Sequence, residues 1–245
     1  KFRTELTVER SGFTVSHWRR GFMAGSCFSE HIYDRLAAYR FPVVANPTGI
    51  LFNPLSIAAM LERVASGRLY GVGELCQAGG LWFSYDHHGA FSCPSAEETL
   101  EGINRELERG HEALSAADYV ILTFGTAWVY RLAGDGRVVA NCHKQPSSEF
   151  RREMAGVDEI VYAYRKLLQG VLAGRQVLFT VSPVRHVRDG FEENLHSKAV
   201  PRMTFARVVD EFTIVRYFPS FELVHNDSRD YRLDAADLVP HAQLA

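Results

Sequence analysis

The chain has 245 residues, of which 47% are hydrophobic and 23% charged, a composition typical of a globular protein with a sizeable buried core. Its net charge of −2 at pH 7 excludes the strongly basic surface that a nucleic-acid-binding protein needs. No run of about 18 apolar residues occurs, so no membrane-spanning helix is expected. With no internal repeat and no linker-like segment, we expect one domain over residues 1–245.

The first predicted strand, Gly21 to Ala24, ends at a turn formed by Gly25 and Ser26. A serine between a strand and a helix has its hydroxyl near free backbone N–H groups, where a nucleophile can be presented at a sheet edge. The alternative is structural: the glycine gives the turn its freedom and the serine caps the helix. Both interpretations fit this stretch.

The helix after this turn carries apolar residues at i, i+4 and i+8, namely Phe28, Ile32 and Leu36. This spacing predicts that the three side chains form one stripe facing the sheet.

Predicted strands and helices alternate along the remaining chain. Further strands are predicted at Phe41–Ala45, Tyr119–Phe124, Gln176–Val181 and Ile214–Phe218, with a hairpin around Gly134–Gly136. Helices are predicted from Pro54 behind an Asn53 cap, from Ser95 to Leu114, from Asp158 to Leu172, and from Lys198 to Phe212, where Pro201 should break or start the helix. The alternation predicts an α/β fold, a three-layer α/β/α sandwich around a mostly parallel sheet of about five strands.

An irregular segment at about residues 69–94 interrupts this pattern and contains Trp82 and the pair His87 and His88. Long loops are uncommon in compact domains unless they are functional. We therefore expect an insertion that lies against the strand ends and forms a wall of a pocket. The two histidines either contact substrate there or are ordinary loop residues.

The four cysteines are far apart and form no C-x-x-C pair: Cys27, Cys76, Cys93 and Cys142. This spacing does not suit a structural zinc site, and we expect neither a metal nor another cofactor. Free thiols favour a reducing, cytoplasmic location, and two disulfides are the alternative.

Polar residues follow every predicted strand of the sheet. In a parallel sheet these positions meet at one edge, where α/β proteins bind their ligands. The sequence therefore predicts a site at this edge, built from Ser26, Asn46, Gly49, Gly125, Thr126, Ser182 and His186.

Five segments resemble the GSCFA family, a distant branch of the SGNH/GDSL hydrolases. They are Gly25–Phe28, Asn46–Pro54, Thr123–Tyr130, Asn141–Pro146 and Ser182–His186. The likeness extends over nearly the whole chain. It implies an SGNH hydrolase-like fold and serine chemistry on an acyl ester, and leaves the physiological substrate undefined.

The resemblance implies that Ser26 is the nucleophile, His241 the base that takes its proton, and Asp237 the group that orients His241. Asp234 is an alternative partner for the histidine. The family tail has two residues between the aspartate and the histidine, with a proline next. Here three residues intervene and Pro240 precedes His241, and such a shift is large enough to impair proton transfer.

By the same resemblance, the backbone N–H groups of Ser26 and Gly49 form the oxyanion hole. SGNH enzymes add an asparagine side chain after the third strand, but this chain has Thr126 there. Either Thr126 or Asn141 is expected to substitute. Cys27, beside Ser26, is a rival nucleophile because a thiol is intrinsically more reactive.

Five residues are candidates for substrate binding: Asn46, His87, His88, His143 and His186. Trp82 and Trp128 either stack on a sugar ring or fill the core. The expected function is an esterase acting on an acyl ester, with a saccharide as the expected carrier. The alternatives are an acyltransferase that modifies a polysaccharide and a saccharide-binding module that has lost the Asp237–His241 pair. The sequence does not indicate an oligomeric state.

Overall fold

Strands and helices alternate along the chain in the computed structural model, which describes residues 5–8, 10, 12 and 14–228. Asp234, Asp237 and His241 lie outside these residues. The strands are β1 Gly21–Gly25, β2 Val43–Ala45, β3 Cys76–Ala78, β4 Leu81–Phe83, β5 Tyr119–Phe124, β6 Trp128–Leu132, β7 Val138–Val139, β8 Phe150–Met154, β9 Gln176–Val181 and β10 Val215–Phe218. The helices are α1 Cys27–Ala38, α2 Pro54–Ser66, α3 Ala96–Ser115, α4 Val157–Gln169, α5 Gly190–Glu211 and α6 Ser220–Glu222, followed by a π-helical segment Leu223–Ser228.

The central sheet has five parallel strands in the order β2-β1-β5-β9-β10, as the sequence predicts. The chain runs outward from β1 to β2 and then returns past β1 to continue on its other side with β5. At such a reversal the connections leave in opposite directions and open a crevice beyond the carboxyl ends of the two strands. The fold therefore has such a crevice at the ends of β1 and β5, where Ser26 and Gly125 lie.

Helices cover both faces of this sheet, which confirms the three-layer sandwich. Successive side chains of β5 point to opposite faces of the sheet. Tyr119 and Ile121 pack in a small cluster with α1, whereas Val120 and Leu122 belong to the main core beneath α2, α3, α4 and α5.

The prediction for α1 was wrong in one respect. Ile32 is 37% exposed, and the buried residue of the helix is Ser29, with Tyr33 and Leu36 packed beside it on the sheet. The buried stripe is thus rotated relative to the predicted one. Ser29 has a small side chain, which lets the backbone of α1 lie near the sheet.

The predicted effect of Pro201 was also wrong, because α5 continues through the proline. A proline inside a helix leaves the carbonyl four residues earlier without its N–H donor. That carbonyl belongs to Ser197, and it accepts a hydrogen bond of 3.0 Å from the N–H of Ala127. The proline is tolerated because the loop after β5 supplies the missing donor, and this bond ties α5 to that loop.

The segment at 69–94 is not structureless, since β3 and β4 pair as an antiparallel hairpin. It is held at the strand ends by a hydrogen bond of 2.9 Å from the N–H of His88 to the carbonyl of Thr48. Strands β6, β7 and β8 form a separate three-stranded sheet that includes the predicted hairpin. The sequence analysis did not identify β8.

In the part of the chain that the structure describes, no helix is long and apolar enough to cross a bilayer. All four cysteines are free thiols.

Gly25 should be intolerant of a side chain. Its φ is +152°, and a Cβ there would lie 2.2 Å from the carbonyl oxygen of Thr123 on the paired strand. We expect Gly25→Ala to lower the free energy of unfolding by about 2–4 kcal/mol, as measured by urea denaturation.

The matched control is Gly73→Ala, where an added Cβ meets nothing within 4 Å. This change should stay within about 0.5 kcal/mol of the parent. Equal stability of the two variants would contradict the close approach of β1 and β5.

Candidate functional site

Ser26 is the N-terminal cap residue of α1 by position, with φ −72° and ψ 178°. Its side chain makes no capping hydrogen bond, and its Oγ is a buried atom with no hydrogen-bond partner in the described structure. A buried hydroxyl without a partner costs free energy, so a capping role does not account for this serine. The hydroxyl is available for another interaction.

Asn46 links the ends of β1 and β2. Its side-chain Oδ1 accepts a hydrogen bond of 3.0 Å from the N–H of Gly25, which also fixes which way the amide faces. The Nδ2 group, on the other side of the amide, is buried and has no partner among the described residues. The turn before Ser26 therefore has an unused side-chain donor beside it.

The two backbone N–H groups predicted for the oxyanion hole both donate to carbonyl oxygens. The N–H of Ser26 donates to Thr123 at 3.3 Å, and that of Gly49 to Asn46 at 2.8 Å. The first bond is long and therefore weak, whereas the second has ordinary geometry. Of the two, the Ser26 N–H is the easier to recruit for a ligand.

The two side chains predicted as the third donor lie in different places. Thr126 lines a cavity next to Cys27, and its Oγ1 accepts a hydrogen bond of 3.1 Å from the N–H of Trp128. Asn141 lies beside the 69–94 segment, where its Oδ1 accepts from the N–H of His143 at 2.9 Å. Only Thr126 is thus placed beside the strand ends that carry the serine.

A cavity of about 430 Å³ opens beside the end of β1. Aromatic, polar and charged side chains share its lining, which suits a small ligand with apolar and polar faces. The lining residues are Cys27, Phe52, Asn53, Thr126, Trp128, Tyr130, Val139, Ala140, Arg152, His186, Arg188 and Asp189.

The two tryptophans lie in different places. Trp128 lines it, with the guanidinium of Arg152 3.9 Å from its ring centre. Trp82 instead packs against the main core.

Two titratable residues of the cavity are uncharged at neutral pH. Burial raises the pKa of the Cys27 thiol, which disfavours the thiolate that a cysteine nucleophile needs. Burial and the nearby charge of Lys198 lower the pKa of His186 to about 4, against the opposing effect of Asp189. The cavity wall thus presents a neutral thiol and a neutral imidazole.

Lys198 of α5, which was not predicted from the sequence, is buried beside the end of β5. It is only 2% exposed, and its Nζ donates to the carbonyl oxygen of Gly125 at 2.5 Å. Burial lowers its pKa to about 7. A signal was present in the sequence, because Lys198 lies on the same helical stripe as Pro201, Phe205 and Val208, which are all buried.

The histidines of the 69–94 segment form a separate group around the loop after β2. Gly49, at φ +80°, packs so closely on His88 that a Cβ would lie 2.4 Å from the Cβ of that histidine. His143 is held by a hydrogen bond of 2.9 Å between its Nε2 and the carbonyl of Ser84. These residues line no part of the 430 Å³ cavity, and the segment contributes Tyr70 and Asp86 to a second cavity of about 330 Å³.

The predicted base and its partner, His241 and Asp237, lie outside the described residues, as does Asp234. Their roles stay predictions. Among the residues that are described, no group of three or more His, Cys, Asp or Glu side chains could hold a metal ion.

Residues 20–245 match a family described as the GSCFA family, which confirms the resemblance carried by the five segments. No curated protein and no solved structure gives a significant match. The matched range contains all the strand-end residues described above and the tail with His241.

His87 makes the stability of the protein sensitive to acid. It is buried against Tyr70 and Phe91, neither ring nitrogen has a hydrogen-bond partner in the described structure, and burial lowers its pKa to about 3. The unfolded chain binds this proton near its ordinary pKa of 6.5, whereas the folded chain does not. The stabilising contribution is complete above pH 6.5 and is lost as the pH falls toward 3.

We expect His87→Leu to be at least as stable as the parent at pH 7, because it removes two unsatisfied polar atoms. Its advantage should grow as the pH falls, by up to about 4 kcal/mol, in urea denaturation at a series of pH values. The exposed His196→Leu is the control and should show no such trend. A constant difference between His87→Leu and the parent at all pH values would contradict this account.

Proposed function

The chain belongs to the GSCFA family, and from this membership and the geometry around Ser26 we propose that it is an SGNH-type serine hydrolase that cleaves an acyl ester. One observation carries the proposal: the Ser26 hydroxyl is buried at the switch point of the sheet and makes no hydrogen bond with any residue that the structure describes. A hydroxyl that neither caps the helix nor satisfies a buried neighbour is placed for chemistry.

The proposed reaction proceeds in two steps. Ser26 Oγ adds to the ester carbon while His241 takes the hydroxyl proton, and the departing alcohol receives that proton. Water then attacks the acyl-enzyme and gives a proton to His241, and the imidazolium returns that proton to Ser26 Oγ as the acid leaves. Asp237 holds the imidazole in the orientation that both transfers require.

The composition of the cavity supports a saccharide as the carrier of the acyl group. The aromatic rings of Phe52, Trp128 and Tyr130 offer surface for the apolar face of a sugar, and the charged side chains of Arg188 and Asp189 offer hydrogen-bonding groups for its hydroxyls. A volume of about 430 Å³ suits a small portion of a saccharide rather than a long chain.

A second candidate function is a saccharide-binding module without catalysis. It is favoured by the burial of Ser26, which is 1% exposed, while its neighbour Cys27 lines the cavity. For a hydrolase, the side chains between the cavity and Oγ must move when the ester binds.

Ser26→Ala should lower kcat for a small aryl ester such as 4-nitrophenyl acetate by about a thousandfold or more. The variant should remain as stable as the parent, because Oγ makes no hydrogen bond within the described part of the chain. Cys27→Ala is the matched control at the adjacent position and should change kcat only severalfold.

Activity that persists in Ser26→Ala and disappears in Cys27→Ala would identify the Cys27 thiol as the nucleophile. An unmodified protein that binds saccharides saturably and hydrolyses no ester would support the binding module instead.

His241→Gln should lower kcat by a factor of about a hundred to ten thousand, since a glutamine cannot transfer the proton. The effect should be larger on kcat than on KM. His196→Gln, on the exposed side of α5, is the control. Equal activity of His241→Gln and the parent would show that another group is the base.

A further inference from the structure

Lys198 is a buried cation for which the hydrolase described so far has no use. Within the described residues, its Nζ makes one hydrogen bond, to the carbonyl oxygen of Gly125, and no carboxylate forms a salt bridge with it. An ammonium group has three N–H donors, so two have no acceptor here. Burying a charge with so few partners is costly, which calls for a reason to place a lysine at this position.

Two contacts fix the lysine beside the nucleophile. The Gly125 residue that accepts its hydrogen bond packs against Ser26, since a Cβ on Gly125 would lie 3.3 Å from the Cβ of the serine. The turn of α5 that carries Lys198 is also held to the loop after β5, because the N–H of Ala127 donates to the carbonyl of Ser197 that Pro201 leaves free. The ammonium is therefore held at the β5 side of the switch point.

We propose that the Lys198 ammonium is the side-chain donor of the oxyanion hole, in the role that Thr126 or Asn141 was expected to fill. The inference rests on the proposed hydrolase function and adds a catalytic residue to it. Asn46 binds the same turn from the β2 side, through the N–H of Gly25, whereas Lys198 binds the carbonyl of Gly125 on the β5 side.

The chemical step needs no proton from the lysine. When Ser26 Oγ bonds to the ester carbon, the π electrons of the carbonyl become a lone pair on its oxygen, and Nζ–H donates a hydrogen bond to that anion. When the bond to the alcohol breaks, the lone pair re-forms the carbonyl and the alcohol takes the proton that Ser26 released. Lys198 keeps its own proton throughout.

The geometry favours a donor over a base. A general base lies within hydrogen-bond distance of the proton that it removes, and Ser26 Oγ has no hydrogen-bond partner in the described structure, Nζ included. An oxyanion donor lies away from Oγ, near the position that the carbonyl oxygen of the ester will occupy. The adjacent location beside Gly125 fits the second requirement.

If Lys198 acts as an ammonium donor, the rate of the reaction at Ser26 should decrease at alkaline pH. Three titratable side chains act on or respond to Lys198: Cys27 of α1, His186 after β9 and His225 of the π-helical segment. Burial lowers the pKa of both histidines, so neither adds charge at neutral pH. Because burial lowers the pKa of Lys198 to about 7, its ammonium form, which is the stronger donor, declines as the pH rises through 7, whereas a histidine base becomes more effective.

The test is the rate at which a fluorophosphonate labels Ser26. The serine displaces fluoride from phosphorus, and the product keeps a phosphoryl oxygen in the oxyanion hole. Lys198→Met should slow labelling about a hundredfold or more. Lys198→Gln, which supplies a neutral donor, should recover part of the rate and lose the alkaline decrease. The control is Lys166→Met, an exposed lysine paired with Glu62, and it should label at the parent rate.

The outcomes separate the two proposals. Labelling of Ser26 at equal rates in the parent and in Lys198→Met would overturn the inference about Lys198 and leave the hydrolase standing. A parent protein that is not labelled at Ser26 would overturn both. If the Lys198 variants do not fold, the pH profile of the parent decides, because a labelling rate that shows no decrease up to about pH 10, where an ordinary lysine loses its proton, contradicts an ammonium donor.

Discussion

The close approach of β1 and β5 at Gly25 is the constraint on which the site depends. A side chain at Gly25 would collide with the carbonyl of Thr123, so the two strands can run together to their carboxyl ends only with glycine at this position. Their closeness brings Ser26 against Gly125 at the point where the strand order reverses. The crevice of the fold and the candidate nucleophile thus coincide for a steric reason.

A second constraint connects the far end of the chain to the same point. Pro201 frees a carbonyl of α5, and the loop after β5 uses that carbonyl to satisfy the N–H of Ala127. The helix is thereby held where its buried lysine reaches the carbonyl of Gly125. Pro201 thus weakens the hydrogen bonding within α5, and the carbonyl that it frees links this helix to the loop after β5.

The sequence predicted the five parallel strands because they are short apolar runs, such as Tyr119–Phe124 and Gln176–Val181, and most helices because their apolar residues recur at helical spacing. It failed at α5, since the donor that compensates for Pro201 comes from residue 127, far away in the chain. It placed Ser26, Asn46, Thr126 and His186 at strand ends correctly, because parallel strands share one edge. It missed Lys198, since a lysine is ordinarily exposed, although its place on the same helical stripe as Phe205 and Val208 indicated burial.

The central claim is that Ser26 carries the acyl group during turnover. The most direct measurement is mass spectrometry of the protein quenched in acid while it hydrolyses 4-nitrophenyl acetate, followed by mapping of the modified peptide. We expect one acetyl group per chain, attached to Ser26 Oγ and not to the thiol of Cys27. An acetyl group on Cys27, or continued turnover with no covalent intermediate trapped in any quench, would contradict it.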